Sequence, residues 1–123
     1  MSSTSERYRA SKSYHLVYCA LIQAARNRGT ITYKDVAETM GITPKGSYMA
    51  SETGRMLGGI SEDELHDGRP LLSAIAVSSV TGFPGEGFFG LAKDLGKLKD
   101  ESDAGKKKFW EEEKAAVYET WKR

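Results

Sequence analysis

The sequence predicts a mainly α, α+β fold: a winged helix-turn-helix with a small β wing and an added C-terminal helix. Three observations predict it. Between Gly29 and Gly87 a short helix, a breaker-rich turn, a second helix and then a strand with a glycine-rich turn follow one another. An amphipathic helical pattern precedes that block, and a helix anchored by tryptophans follows it. The 123 residues, 39% hydrophobic and 28% charged, suit one domain with a single core.

Residues 1–10 are polar and basic, and are expected to form a flexible arm ahead of a single domain over residues 11–123. The first helix is expected from about Ser11 to Arg28. Tyr14, Val17, Tyr18, Leu21, Ile22 and Ala25 recur at helical spacing and make one apolar face, and Gly29 ends the helix. Cys19 lies off that stripe and is read as a small packing residue, since nothing nearby in sequence would lower its pKa.

Thr32 is positioned to cap a second helix, with Asp35 at the third position completing the box. Tyr33, Val36, Ala37 and Met40 form its buried face, and Gly41 stops it. After the turn Ile42–Gly46, Ser47 is the expected cap of a third helix over about Tyr48–Leu57. Its inward face is Met49, Thr53, Met56, Leu57 and Ile60; Tyr48, Ser51, Glu52 and Arg55 face outward. In a helix-turn-helix that outward face reads base edges.

Ser61–His66 reads as a separate acidic turn, and Pro70–Val77 as a buried strand. Thr81–Gly87 is the wing or hairpin loop. It lacks the Gly-Lys-Ser/Thr ending and the Gly-x-Gly-x-x-Gly spacing of phosphate-cradling loops. A fourth helix is expected over about Gly87–Leu98, with Phe88, Leu91, Ala92 and Leu95 on one face. A charged connector leads to a last helix over about Ala104–Trp121, anchored by Trp110, Val117 and Trp121.

The net charge of +1 is unevenly spread. Residues 1–34 hold Arg7, Arg9, Lys12, Arg26, Arg28 and Lys34 against Glu6 alone, whereas residues 35–66 hold six acidic residues against Lys45 and Arg55. A single cysteine and two histidines supply no metal site and no cofactor is implied. No apolar run reaches the roughly 20 residues of a membrane span, and the N-terminal residues do not form a secretory signal, so a cytoplasmic protein is expected.

The stretch Gly29-Thr-Ile-Thr-Tyr-Lys-Asp-Val-Ala-Glu-Thr-Met-Gly41, followed by Gly54-Arg-Met-Leu-Gly58, Pro70-Leu-Leu and the glycine-rich turn, resembles the DNA-binding domain of alkylguanine-DNA alkyltransferases and alkyltransferase-like proteins. The resemblance covers roughly residues 29–95. It implies that Tyr33 contacts the phosphate of a rotated nucleotide. The family's intercalating arginine falls at Ser51, and its reactive Pro-Cys-His-Arg strand falls at Ala74–Val77, where no nucleophile or base remains. Extra chain at Ile60–Gly68 has no counterpart. The resemblance therefore implies no alkyl transfer.

Together these features lead to the expectation of a small non-enzymatic protein that binds double-stranded DNA. Tyr33, Lys34, Lys45, Ser47, Tyr48, Ser51 and Arg55, together with Arg7, Arg9 and Lys12, are its expected nucleic-acid-binding residues. The alternative is a protein-interaction adaptor on the same scaffold, anchored by Phe83, Pro84 and exposed tryptophans.

Overall fold

The computed structural model describes residues 11–122. Arg7, Arg9 and the rest of the expected arm lie outside the described residues. Among the described residues five α-helices surround one short buried segment: α1 (Lys12–Arg26), α2 (Tyr33–Met40), α3 (Gly46–His66), α4 (Glu86–Asp94) and α5 (Asp103–Trp121). Two two-residue strands, β1 (Ile31–Thr32) and β2 (Ala76–Val77), pair in parallel, Ile31 with Ala76 and Thr32 with Val77.

The first two helices follow their caps. Ser11 accepts the Tyr14 N–H at the start of α1. Thr32 and Asp35 form the reciprocal box at α2, and Gly41 closes it in the left-handed region at φ 77°. At the end of α1 the left-handed residue is Arg28 (φ 54°), one position before the expected Gly29, whose N–H bonds back to Ala24 O at 2.8 Å. Cys19 is exposed rather than packed.

Several boundaries differ from expectation, and the helix expected to reach Leu98 ends at Asp94. The third helix does not stop at Leu57: it continues through Gly58-Gly59 to His66, taking in the acidic turn. Its apolar stripe explains this, because Met56, Leu57 and Ile60 are followed on the same buried side by Ser61 and Glu64. Tertiary burial outweighs the helix-weakening glycines. Its N-cap is Lys45, so Ser47 is an exposed first-turn residue and not the cap.

The expected strand Pro70–Val77 is mostly a 3-10 turn, Leu72–Ile75, with only Ala76–Val77 extended. Residues 71–77 are all buried, as their apolar run implied. Beside the pairing of Ala76 and Val77 with β1 and the backbone bond from Ala74 N–H to Leu71 O, side chains satisfy their backbone groups. Glu113 accepts the Leu71 N–H at 2.7 Å, Ser61 Oγ accepts the Ser73 N–H at 3.0 Å, and the Trp110 indole donates to Ala74 O at 2.8 Å. The sheet is thus a parallel pair at the core, and the glycine-rich turn leads from β2 into α4 without a returning strand.

Candidate ligand groove

The N-terminal half of α3 and the length of α4 diverge around an open groove of about 730 Å³. Its floor is apolar, from Met49, Leu57, Phe88 and Leu91. Gly54 and Gly58 on one side and Gly87 and Gly90 on the other leave the walls as bare backbone. The tyrosine at the head of α2 closes one end. Tyr33 is half-buried, and its hydroxyl accepts the Gly85 N–H at 2.7 Å, which ties the glycine-rich turn to α2. Burial raises the Tyr33 pKa, an effect opposed by that N–H, so the hydroxyl stays protonated at neutral pH and its proton is a donor.

Glu62 on α3 and Glu86 and Asp94 on α4 lie along the groove, Glu86 paired with Lys106 Nζ at 3.1 Å, and Arg55 is its only lining cation among the described residues. Arg55 Nη1 is held by Glu52 at 2.6 Å, and Glu52 is only 3% exposed. The sequence expected Glu52 to face outward beside Arg55 and accept from a base. It is buried instead, because α3 turns that position toward the chain, so Glu52 cannot read a base edge.

Of the expected nucleic-acid residues, Tyr33, Ser51 and Arg55 come together at this groove. Lys34, Lys45, Ser47 and Tyr48 are exposed outside it, Tyr48 at 66%. Lys12 is far from Lys45. Two residues after Lys12, Tyr14 donates to Asp63 near the other end of α3, and 18 helical residues from Lys45 to Asp63 span about 27 Å. Lys12 and Lys45 therefore lie toward opposite ends of α3.

The anchors expected for a protein partner are also rearranged. Pro84 and Trp110 are buried, and the half-exposed Phe83 packs edge-on against Trp110 at 5.1 Å. The turn before α4 uses its own N–H groups: Ser78 N–H bonds Phe83 O, Gly82 N–H bonds Ser78 O, and Ser78 Oγ accepts from Val80 and Thr81. Few donors are left there for a phosphate. Among the described residues no group of three or more His, Cys, Asp or Glu is placed to hold a metal, and no helix is long and apolar enough to cross a membrane.

The sequence reading missed the second wall. Gly87, Gly90, Leu91 and Asp94 belong to a helix read only for its buried face. The available signal was the Gly54-x-x-x-Gly58 spacing inside a helical pattern, where glycine has no helix-forming reason to be. Comparison with protein-family models, with curated proteins and with solved structures finds no match to this chain.

Proposed function

We propose that this chain is a non-enzymatic binding module, built on a helix-turn-helix scaffold, that docks a segment of another protein in the groove between α3 and α4. The observation that carries this reading is the apolar floor of Met49, Leu57, Phe88 and Leu91 in an open groove between two helices. Such a surface favours apolar side chains. The groove's polar groups are suited to holding rather than to proton transfer: Tyr33 is a neutral donor and Arg55 is neutralised by Glu52. Panning a displayed library of random peptides, each about 16 residues or four helical turns long, tests this. Enrichment on the wild type and none on the groove-filled Gly54→Leu/Gly58→Leu protein is the expected result. Equal recovery on both proteins, or no enrichment, would sink it.

A second reading, duplex DNA binding, is favoured by one observation: Tyr33, Ser51 and Arg55, singled out by the helix-turn-helix pattern, share one surface. The winged-helix assignment belongs to this reading. Titration of a labelled duplex at about 50 and about 200 mM salt decides it, because phosphate contacts release counterions and affinity must fall steeply between the two.

A further inference from the structure

We propose that the Asp67–Gly68 bond at the end of α3 is a site of spontaneous backbone isomerisation, to iso-aspartate, that the folded end of the helix holds shut. The modification needs only water, and it stands apart from the groove.

The sequence supplies the susceptibility. Asp67–Gly68 is the only place in the 123 residues where Asp or Asn precedes Gly. In such a pair the glycine nitrogen can attack the side-chain carboxyl carbon, because no Cβ on the following residue crowds the approach. The step forms a bond from Gly68 N to Asp67 Cγ. The carboxyl group loses its hydroxyl and the amide its hydrogen, together as water. Water then opens the five-membered imide at one of its two carbonyls. Opening at the original backbone carbonyl leaves the chain running through Cγ, with one extra backbone methylene and an unchanged mass.

The structure supplies the restraint. Ring closure needs Cβ of Asp67 and the nitrogen of Gly68 on the same side of the Cα–C bond. At ψ 8° it is the nitrogen of Asp67 that eclipses Gly68 N, so Cβ is turned away. Gly68 sits at φ 79° with its N–H on Leu65 O at 2.9 Å, and the Arg69 N–H bonds Glu64 O at 2.8 Å. The side chain is held as well. Arg69 Nη2 donates to Asp67 Oδ2 at 3.1 Å, and two further bonds fix the same guanidinium on the buried Glu64. The Asp67 side chain is 54% exposed, so water reaches it; what the fold withholds is the rotation about ψ. Isomerisation therefore requires the last turn of α3 to open, and its rate counts those openings. The added methylene then displaces Gly68 and Arg69 from their cap bonds and loosens the hold of Arg69 on Glu64.

The test keeps the full chain for several weeks in warm neutral buffer, folded in one sample and unfolded by guanidinium chloride in another. Peptide mass spectrometry with electron-transfer fragmentation locates the iso-aspartate. It is expected at Asp67 in the unfolded chain, and at least about tenfold more slowly in the folded one, in step with the protection of the Gly68 amide against hydrogen exchange. Arg69→Gln, checked as folded by circular dichroism, should narrow that gap, and the iso-aspartyl protein separated by ion exchange should melt below the unmodified one. Equal rates in the folded and unfolded chains would overturn the proposal. So would an unfolded chain without iso-aspartate at Asp67, or a folded-state rate unrelated to Gly68 exchange. A folded Arg69→Gln protein that isomerises no faster than wild type would also overturn it. If that variant does not fold, the comparison within the wild-type chain decides alone.

Discussion

The two halves of α3 are made from one continuous helix and have opposite fates. Toward its C-terminal end the helix is closed over by polar groups that satisfy one another. Glu64, fully buried, receives Arg69 Nε and Nη2 at 2.9 Å each and the Tyr18 hydroxyl, while Ser61 bonds both the N–H and the hydroxyl of Ser73. Arg69 in turn lies 5.5 Å from the Trp121 ring centre, which joins this end of α3 to α5. Toward its N-terminal end the same helix presents Ser51, Gly54 and Gly58 to an open groove. A buried polar group that is fully partnered specifies one arrangement of the chain, and a row of absent side chains leaves space for something else. Polar contacts that hold the fold are concentrated in the first half and open space in the second.

The contrast is sharpest at two glutamates two residues apart. Replacing Glu64 with Ala removes both of its bonds to Arg69, which keeps only Asp67, and leaves the Tyr18 hydroxyl without its carboxylate; it should cost about 3 kcal/mol in a urea titration. Replacing Glu62 with Ala, half-buried on the groove rim, should cost clearly less. Equal costs would mean that the two halves are not energetically distinct.

Alkaline titration probes the closed half next. Burial, then the hydrogen bond to Glu64, raises the Tyr18 pKa well above the ordinary 10.0. A group whose folded pKa is raised contributes stability that is complete below its unfolded pKa. That stability is lost as pH climbs toward the folded value, because the unfolded chain releases the proton first. Stability should therefore hold to about pH 10 and fall above it. Tyr18→Phe should flatten that decline without removing it, since burial also raises Tyr33 and Tyr118. An unchanged alkaline slope would place the titration elsewhere.

In the open half the sign reverses. Gly54→Ala and Gly58→Ala should each raise stability by about 0.5–1 kcal/mol, because the added methyl meets nothing within 4 Å among the described residues and alanine favours the helix. Gly105→Ala is the control. A Cβ there would collide with the side chain and backbone oxygen of Asp100, so it should destabilise. Thermal melts of the three variants read this directly, and a loss at Gly54 or Gly58 would mean that α4 closes on the groove in solution.

The same division governs what could be read from the sequence. The apolar stripes of α1 and α2 were legible because helical periodicity and local caps agree there: Val17, Leu21, Val36 and Ala37 are all buried. The closed half was not legible, because its partners are far apart in sequence. Glu64 looked like part of a charged turn until Tyr18, 46 positions away, met it. Residues 71–77 were correctly read as buried, but their conformation depends on Ser61, Trp110 and Glu113, whose contributions no local pattern carries. In the groove, Ser51 and Arg55 were legible as part of an outward face, and Tyr33 only through the family resemblance. Its second wall and the burial of Glu52 required the packing of α4 and the twist of α3.

The smallest expected effect separates the two functional readings. Tyr33→Phe removes one hydroxyl at the groove end and keeps the ring. The hydroxyl accepts a single N–H, from Gly85, at a solvent-accessible position, so water replaces it and the cost should be about 0.5 kcal/mol. Because the oxygen already accepts from Gly85, its proton points to whatever lies beyond. If that is a phosphate, Phe removes a donor, and duplex affinity should fall while the salt dependence becomes shallower. If the occupant is a segment of another protein, the ring and the apolar floor do the binding. Peptide affinity should then stay within about twofold of wild type, with duplex binding absent from both proteins. A Tyr33→Phe protein that loses peptide affinity tenfold without losing stability would place a direct hydrogen bond from this hydroxyl to the partner. The occupant would then be fixed by a polar contact at the head of α2 as well as by the apolar floor.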